Sequence, residues 1–153
     1  MKREFGILAI ALLTALCFVL ESRLQVLGIR PNLTVLPVYY VGLRHGPLKG
    51  AAFGALIGAI ADSLSGHLLG PNLLSKGTAG ILASVVTGGF LRWSPLLGAL
   101  SLFAITWADG TLSLASLSFF AKAHAGTADA ARAMLGQAAV NGVIGVFLRP
   151  GDE

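Results

Sequence analysis

Gly50, Gly54 and Gly58 follow one another at four-residue steps in a stretch, Leu48 to Leu64, whose only charges are Lys49 and Asp62. On a helix they line one flank and leave a groove almost without side chains. Ala51, Ala55 and Ala59 repeat the step one position over. In lipid, where helices gain little from hydrophobic burial, such rows let backbones approach and pack by van der Waals contact. A second stretch, Asn72 to Phe90, carries Gly80, Ser84 and Gly88 at the same spacing. Asp62, Ser65, Gly66, Gly70 and Pro71 supply a turn between the two. The pattern predicts a tightly packed helical hairpin in a membrane, with the rest of the chain arranged around it.

Composition agrees. Charged residues make up 12% of the chain and hydrophobic ones 55%, with mean hydropathy +0.79. A soluble domain usually devotes about a quarter of its residues to charge, so too few remain here to cover a water-facing surface. The 153 residues fit one domain, 1–153. The net charge of +4 comes from scattered Lys and Arg without a basic run, which leaves nucleic-acid binding without support. Cys17 is the single cysteine and sits in an apolar run, so no internal disulfide can form. Lys2 and Arg3 before Phe5 to Leu20 resemble the front of a signal peptide, but no A-x-A site follows. Leu16 directly before Cys17 also argues against a lipoprotein site. An uncleaved first transmembrane helix is the expectation.

The hydrophobic runs predict an all-α integral membrane bundle of about six spans: 5–22, 31–43, 47–64, 72–91, 95–121 and 130–148. Pro31 suits a first helical turn, where its missing N–H costs nothing. Gly42, Arg44, His45, Gly46 and Pro47 punctuate the chain. Arg92 and Trp93 read as an interfacial anchor. The second and third spans are near or below the usual minimum of ~17 residues, and a re-entrant pair is the alternative for them. An even count puts both termini on one side. Lys2-Arg3 and the connector Arg44 to Lys49 assign that side to the cytoplasm.

Charges inside spans are expensive and face protein or water, which singles out Asp62, Lys76 and Asp109. Asp109, in Thr106-Trp107-Ala108-Asp109-Gly110-Thr111, reads as a polar contact to a partner helix or a proton or substrate site. Otherwise it is a carboxyl bonded to Thr or Ser of a neighbouring helix. Asp62 and Lys76 either approach each other across the turn, or Asp62 caps the turn and Lys76 snorkels to the interface. His45, His67 and His124 lie in separate connectors without metal-ligand spacing. No P-loop, dinucleotide fingerprint, G-x-S-x-G or S-x-x-K occurs. Neither catalytic residues nor a cofactor or metal is expected. The small-residue rows, including Ala11 and Ala15 in the first span, pack the protein's own bundle or leave one row for a partner.

A family resemblance emerges from these pieces in order. Arg30-Pro31-Asn32-Leu33, Gly46-Pro47, Gly54-xxx-Gly58-xxx-Asp62, Ser65-Gly66, Leu69-Gly70, Leu74-Ser75-Lys76 and Val140-Asn141-Gly142 together resemble the rod shape-determining MreD family. The agreement is densest from Arg30 to Gly89 and returns near Asn141. Ile81 after Gly80 departs from the aromatic usual there. The resemblance implies a non-enzymatic, multi-pass protein of the bacterial inner membrane that serves cell elongation and peptidoglycan synthesis. Its implied partner is MreC, linking to RodA and its class B penicillin-binding protein, with MreB inside; a further copy of the chain could join that complex. Ala11, Ala15, Gly50, Gly54 and Gly58 are the candidate docking positions, the flank of the third span first among them. Asn141 joins Asp62, Lys76 and Asp109 as intramembrane polar residues. The family also resembles the six-helix substrate-binding components of energy-coupling-factor transporters. A small-solute-binding component is therefore the alternative, with Ala11-xxx-Ala15 similar to the docking motif of their first helix. Two Trp and two Tyr, with Tyr39 and Tyr40 pointing apart, predict a poor ligand pocket for that role.

Overall fold

A computed structural model describes residues 2–24, 29–66, 69–86, 94–121 and 127–148. Gly88, Arg92, Trp93, His67, Lys122 and His124 lie outside the described residues. Among the described residues six α-helices form: α1 (Lys2–Arg23), α2 (Val35–His45), α3 (Pro47–Ser65), α4 (Pro71–Val86), α5 (Pro95–Ala121) and α6 (Thr127–Gly145). Two of them, α3 and α5, are long and apolar enough to cross a membrane among the described residues.

The hairpin of α3 and α4 is built by glycine. A Cβ placed on Gly54 or Gly58 would strike the carbonyl oxygen of Lys76 or Asn72, and one on Gly80 would strike that of Gly50. The pairing 50 with 80, 54 with 76 and 58 with 72 runs antiparallel, each step of four matching one turn. Gly42 of α2 meets the same Gly80 carbonyl, so three helices converge where no side chain stands between backbones. The flank of α3 expected to receive a partner is thus filled by α4. Gly50, Gly54 and Gly58 are buried in the chain's own packing.

α2 is shorter than expected. Its 11 residues begin at Val35, not Pro31, and reach ~16 Å, about half of a ~30 Å hydrocarbon core. The preceding backbone is engaged elsewhere: the Thr34 amide donates to Glu21 Oε2 and the Asn32 carbonyl accepts from Asn141 Nδ2, bonds that give these groups partners outside a helix. Gly46, at φ 85°, separates α2 from α3, a conformation that glycine adopts without steric cost. Val35, Val38, Tyr39 and Leu43 of α2 form the core with Ile57, Ala79, Ala83, Leu102 and Ile105. Tyr39 donates to or accepts from Ser101 Oγ at 2.7 Å. Its neighbour Tyr40 turns the other way and accepts from Arg44 Nη1 at 2.9 Å.

α5 and α6 pack antiparallel by the same device: a Cβ on Gly145 would strike the Gly98 carbonyl, while Gly110 faces Met134. α1 stands apart. Phe18 packs on the core, and Glu21 Oε2 accepts from the Thr34 amide at 3.1 Å. Leu8, Leu12, Leu13 and Leu16 are exposed.

Replacing Gly54 or Gly58 with Leu forces α3 off α4. Overpacking of this kind costs about 1–3 kcal/mol or more, so the melting temperature in mild detergent should fall by several degrees. The same change at Gly6, which has nothing within 4 Å, should leave it unmoved.

Candidate functional site

The turn after α3 is organised by Asp62. Its Oδ2 accepts from the Gly70 and Leu73 amides at 2.8 and 3.1 Å. Its Oδ1 accepts from the Asn72 amide at 3.1 Å and Asn72 Nδ2 at 2.8 Å. Helix N-termini leave amides without partners and carry partial positive charge; a carboxylate from the end of α3 meets both needs of α4. Pro71 opens α4, where it gives up no hydrogen bond. Of the two readings of Asp62, the cap is the one found.

Lys76, one turn further on, does not snorkel. It is 2% exposed, and its Nζ donates to Asp109 Oδ2 at 3.2 Å and Asn32 Oδ1 at 3.1 Å. Asn32 Nδ2 donates to the same Asp109 oxygen at 2.7 Å. Thr34 Oγ1 donates to Asn32 Oδ1 at 3.1 Å. The carboxyl of Asp109 therefore finds an ammonium and an amide, where a Thr or Ser was the simplest expectation. Taking two charges from water is costly, and such a pair persists when geometry and further hydrogen bonds compensate. Asn32 supplies those bonds to both partners at once.

Asn141 of α6 closes the arrangement from the other side. Its Nδ2 donates to the Asn32 carbonyl at 2.7 Å and to Thr106 Oγ1 at 3.1 Å. Gln137, one turn earlier, donates to the Arg30 carbonyl at 2.9 Å. The segment 30–34 is thus held by α1, α4, α5 and α6 together. Two buried oxygens, Asp109 Oδ1 and Asn141 Oδ1, have no hydrogen-bond partner.

The network floors a pocket of about 830 Å³. Phe18 and Val19 of α1, Leu64 of α3, Leu114 and Leu117 of α5 and Met134 of α6 give it apolar walls. A poor ligand pocket was the expectation; among the described residues Phe18 is the one aromatic in the lining, while Glu21, Arg30, Asn32, Lys76, Asp109 and Gln137 make it polar in part. The pocket itself is substantial.

The structure therefore joins Lys76, Asp109 and Asn141 in one constellation and leaves Asp62 beside it as a cap. Ala11 and Ala15 lie well away on the exposed face of α1. Asn32 is the residue that sequence reasoning passed over as a site. Its signal was an amide directly after Pro31 in an apolar region, where an unpartnered polar group is costly. Among the described residues no cluster of metal-ligating side chains occurs.

Two predictions follow from this geometry. Asp62→Ala should cost about 2 kcal/mol, the upper range for a lost cap, and free the 62–73 turn to proteolysis. Lys76→Met or Asp109→Leu should each cost about 3–5 kcal/mol by stranding a buried charge. The double variant should cost less than the sum, a coupling that a double-mutant cycle in detergent measures directly.

Comparison with known proteins agrees with the resemblance seen in the sequence. The family model described as rod shape-determining protein MreD matches residues 2–148. No curated protein and no solved structure matches. The chain belongs to the MreD family of rod shape-determining proteins.

Proposed function

We propose that the chain is a multi-pass inner-membrane scaffold of the cell-elongation machinery, without catalytic activity, with both termini in the cytoplasm. The observation that carries the membrane part is an inversion of ordinary burial. Asp62, Lys76, Asp109 and Asn141 are inside, while Leu48, Leu56, Leu64, Leu74, Val85, Leu96, Leu100 and Val143 are exposed on four helices. Soluble monomers rarely expose apolar patches beyond a few hundred Å². A surface of this kind suits lipid.

The partner proposed is MreC, and through it RodA, its class B penicillin-binding protein and MreB. With the glycine flank of α3 already filled, the surface suited to the single span of MreC moves to α1. That helix touches the body along Thr14, Cys17 and Phe18 and leaves Ala11 and Ala15 outward among exposed leucines. Small residues there permit close approach of a second helix. The alternative, a solute-binding component docked on an ATPase module, draws on the pocket. Its aliphatic walls give a vitamin-like ring little to stack on.

A pull-down of the tagged chain from native membranes in mild detergent should recover MreC, and recovery of an ATPase module without MreC would overturn the scaffold reading. Ala11→Phe with Ala15→Phe should reduce recovered MreC about tenfold, a loss of ~1.4 kcal/mol, while the melting temperature stays unchanged. Undiminished recovery would remove α1 as the docking face.

A further inference from the structure

The pocket above the Lys76–Asp109 pair is unlike a packing defect in three respects. At about 830 Å³ it falls within the ~300–1,000 Å³ of small-molecule sites. Its floor is polar, and its walls are mostly apolar with Glu21 and Arg30 among them. It is also continuous with the lipid-suited exterior: Val19 and Leu64 line it and are themselves 58% and 71% exposed.

The chemistry of the floor is specific. Lys76 and Asp109 cancel in charge, so the floor does not select strongly for a net ion. It does leave an acceptor unspent, because Asp109 Oδ1 is buried and unpartnered. Asp109 lines this pocket as well as a second, smaller cavity, and the terminal torsion of a carboxylate is soft, so side-chain rotation can present an oxygen to the space above. An unsatisfied buried acceptor costs about 1–3 kcal/mol, which a ligand carrying N–H or O–H donors would recover.

We propose that this pocket holds the head group of a membrane amphiphile bearing hydrogen-bond donors, with its chain leaving between α1 and the body past Val19 and Leu64. The head meets Asp109, with Asn32 and Lys76 beside it, and the first methylenes lie against Phe18, Leu114 and Met134. α1 forms one wall of the site, so occupancy steadies the helix proposed above to face a partner. The inference rests on the membrane placement of the chain for its supply of ligand.

The test uses the full chain, purified in mild detergent, stripped of lipid and titrated with synthetic lipids of one acyl composition. Phosphatidylethanolamine offers an ammonium, phosphatidylglycerol offers hydroxyls, and phosphatidylcholine has a head group without N–H or O–H. The first two should raise the melting temperature by about 5 °C or more near saturation, and phosphatidylcholine should not. A response to phosphatidylethanolamine alone also supports the site and narrows the donor to an ammonium. Free ethanolamine and glycerol, which lack chains, should have little effect. Ser113→Trp on α5 and Ala133→Phe on α6 fill the pocket from two sides without altering the floor, and each should abolish the response while keeping helix content. Equal stabilisation by phosphatidylcholine, or an unchanged response in the filled variants, overturns the proposal. No response to any lipid overturns it too; continued dependence on detergent for solubility would then show the membrane reading standing while the pocket assignment falls.

Discussion

Backbone-to-backbone contact between α3 and α4 is the constraint from which the other placements follow. At Gly54, Gly58 and Gly80 the partner carbonyl occupies the space a Cβ would need. That distance fixes the register of the hairpin to within one turn. Register places Asp62 at the N-terminus of α4, and capping there orients the first turn, which aims Lys76 inward. A looser hairpin with side chains between the helices would leave both Asp62 and Lys76 without their present partners.

From Lys76 the organisation passes to Asn32. One amide side chain accepts from Lys76 and Thr34, donates to Asp109, and lends its backbone carbonyl to Asn141. Three of these contacts tie the connector before α2 to α4, α5 and α6. The result is a buried polar centre beside the apolar core, where an unpartnered group is costly. Among the described residues, Asp109 Oδ1 and Asn141 Oδ1 are buried without a hydrogen-bond partner. Asp109 also lines the cavity, so its unspent acceptor differs from one sealed in a core: a side-chain rotation separates it from open space.

The sequence was informative where structure is local. The glycine spacing, the turn at Gly66 to Pro71 and the cap by Asp62 all depend on residues within about a dozen positions of one another, so periodicity and turn chemistry expose them. The ion pair joins Lys76 to Asp109 across 33 positions and the amide joins Asn32 to Asp109 across 77; no local rule predicts which buried charge will meet which. The glycine rows show the complementary gap. Spacing marks a flank as fit for close approach but carries no address, and α4 took the flank of α3 that a partner was expected to use. The late start of α2 was missed for a related reason: Pro31 permits a helix, yet Asn32 and Thr34 had tertiary bonds to make.

For a chain placed in a bilayer as proposed above, the Lys76–Asp109 pair bears on insertion. A helix bearing a lone Lys or Asp near its centre is penalised by about 2.5–3.5 kcal/mol on insertion. α4 carries the Lys and α5 the Asp, and each neutralises the other only when both are present. Under that placement α4 precedes α5 in synthesis, so the ammonium would lack its partner until roughly one further helix had emerged. In the proposed membrane placement, release into lipid would be favoured for α4 and α5 together, and the salt bridge would couple their insertion as well as tie them in the fold.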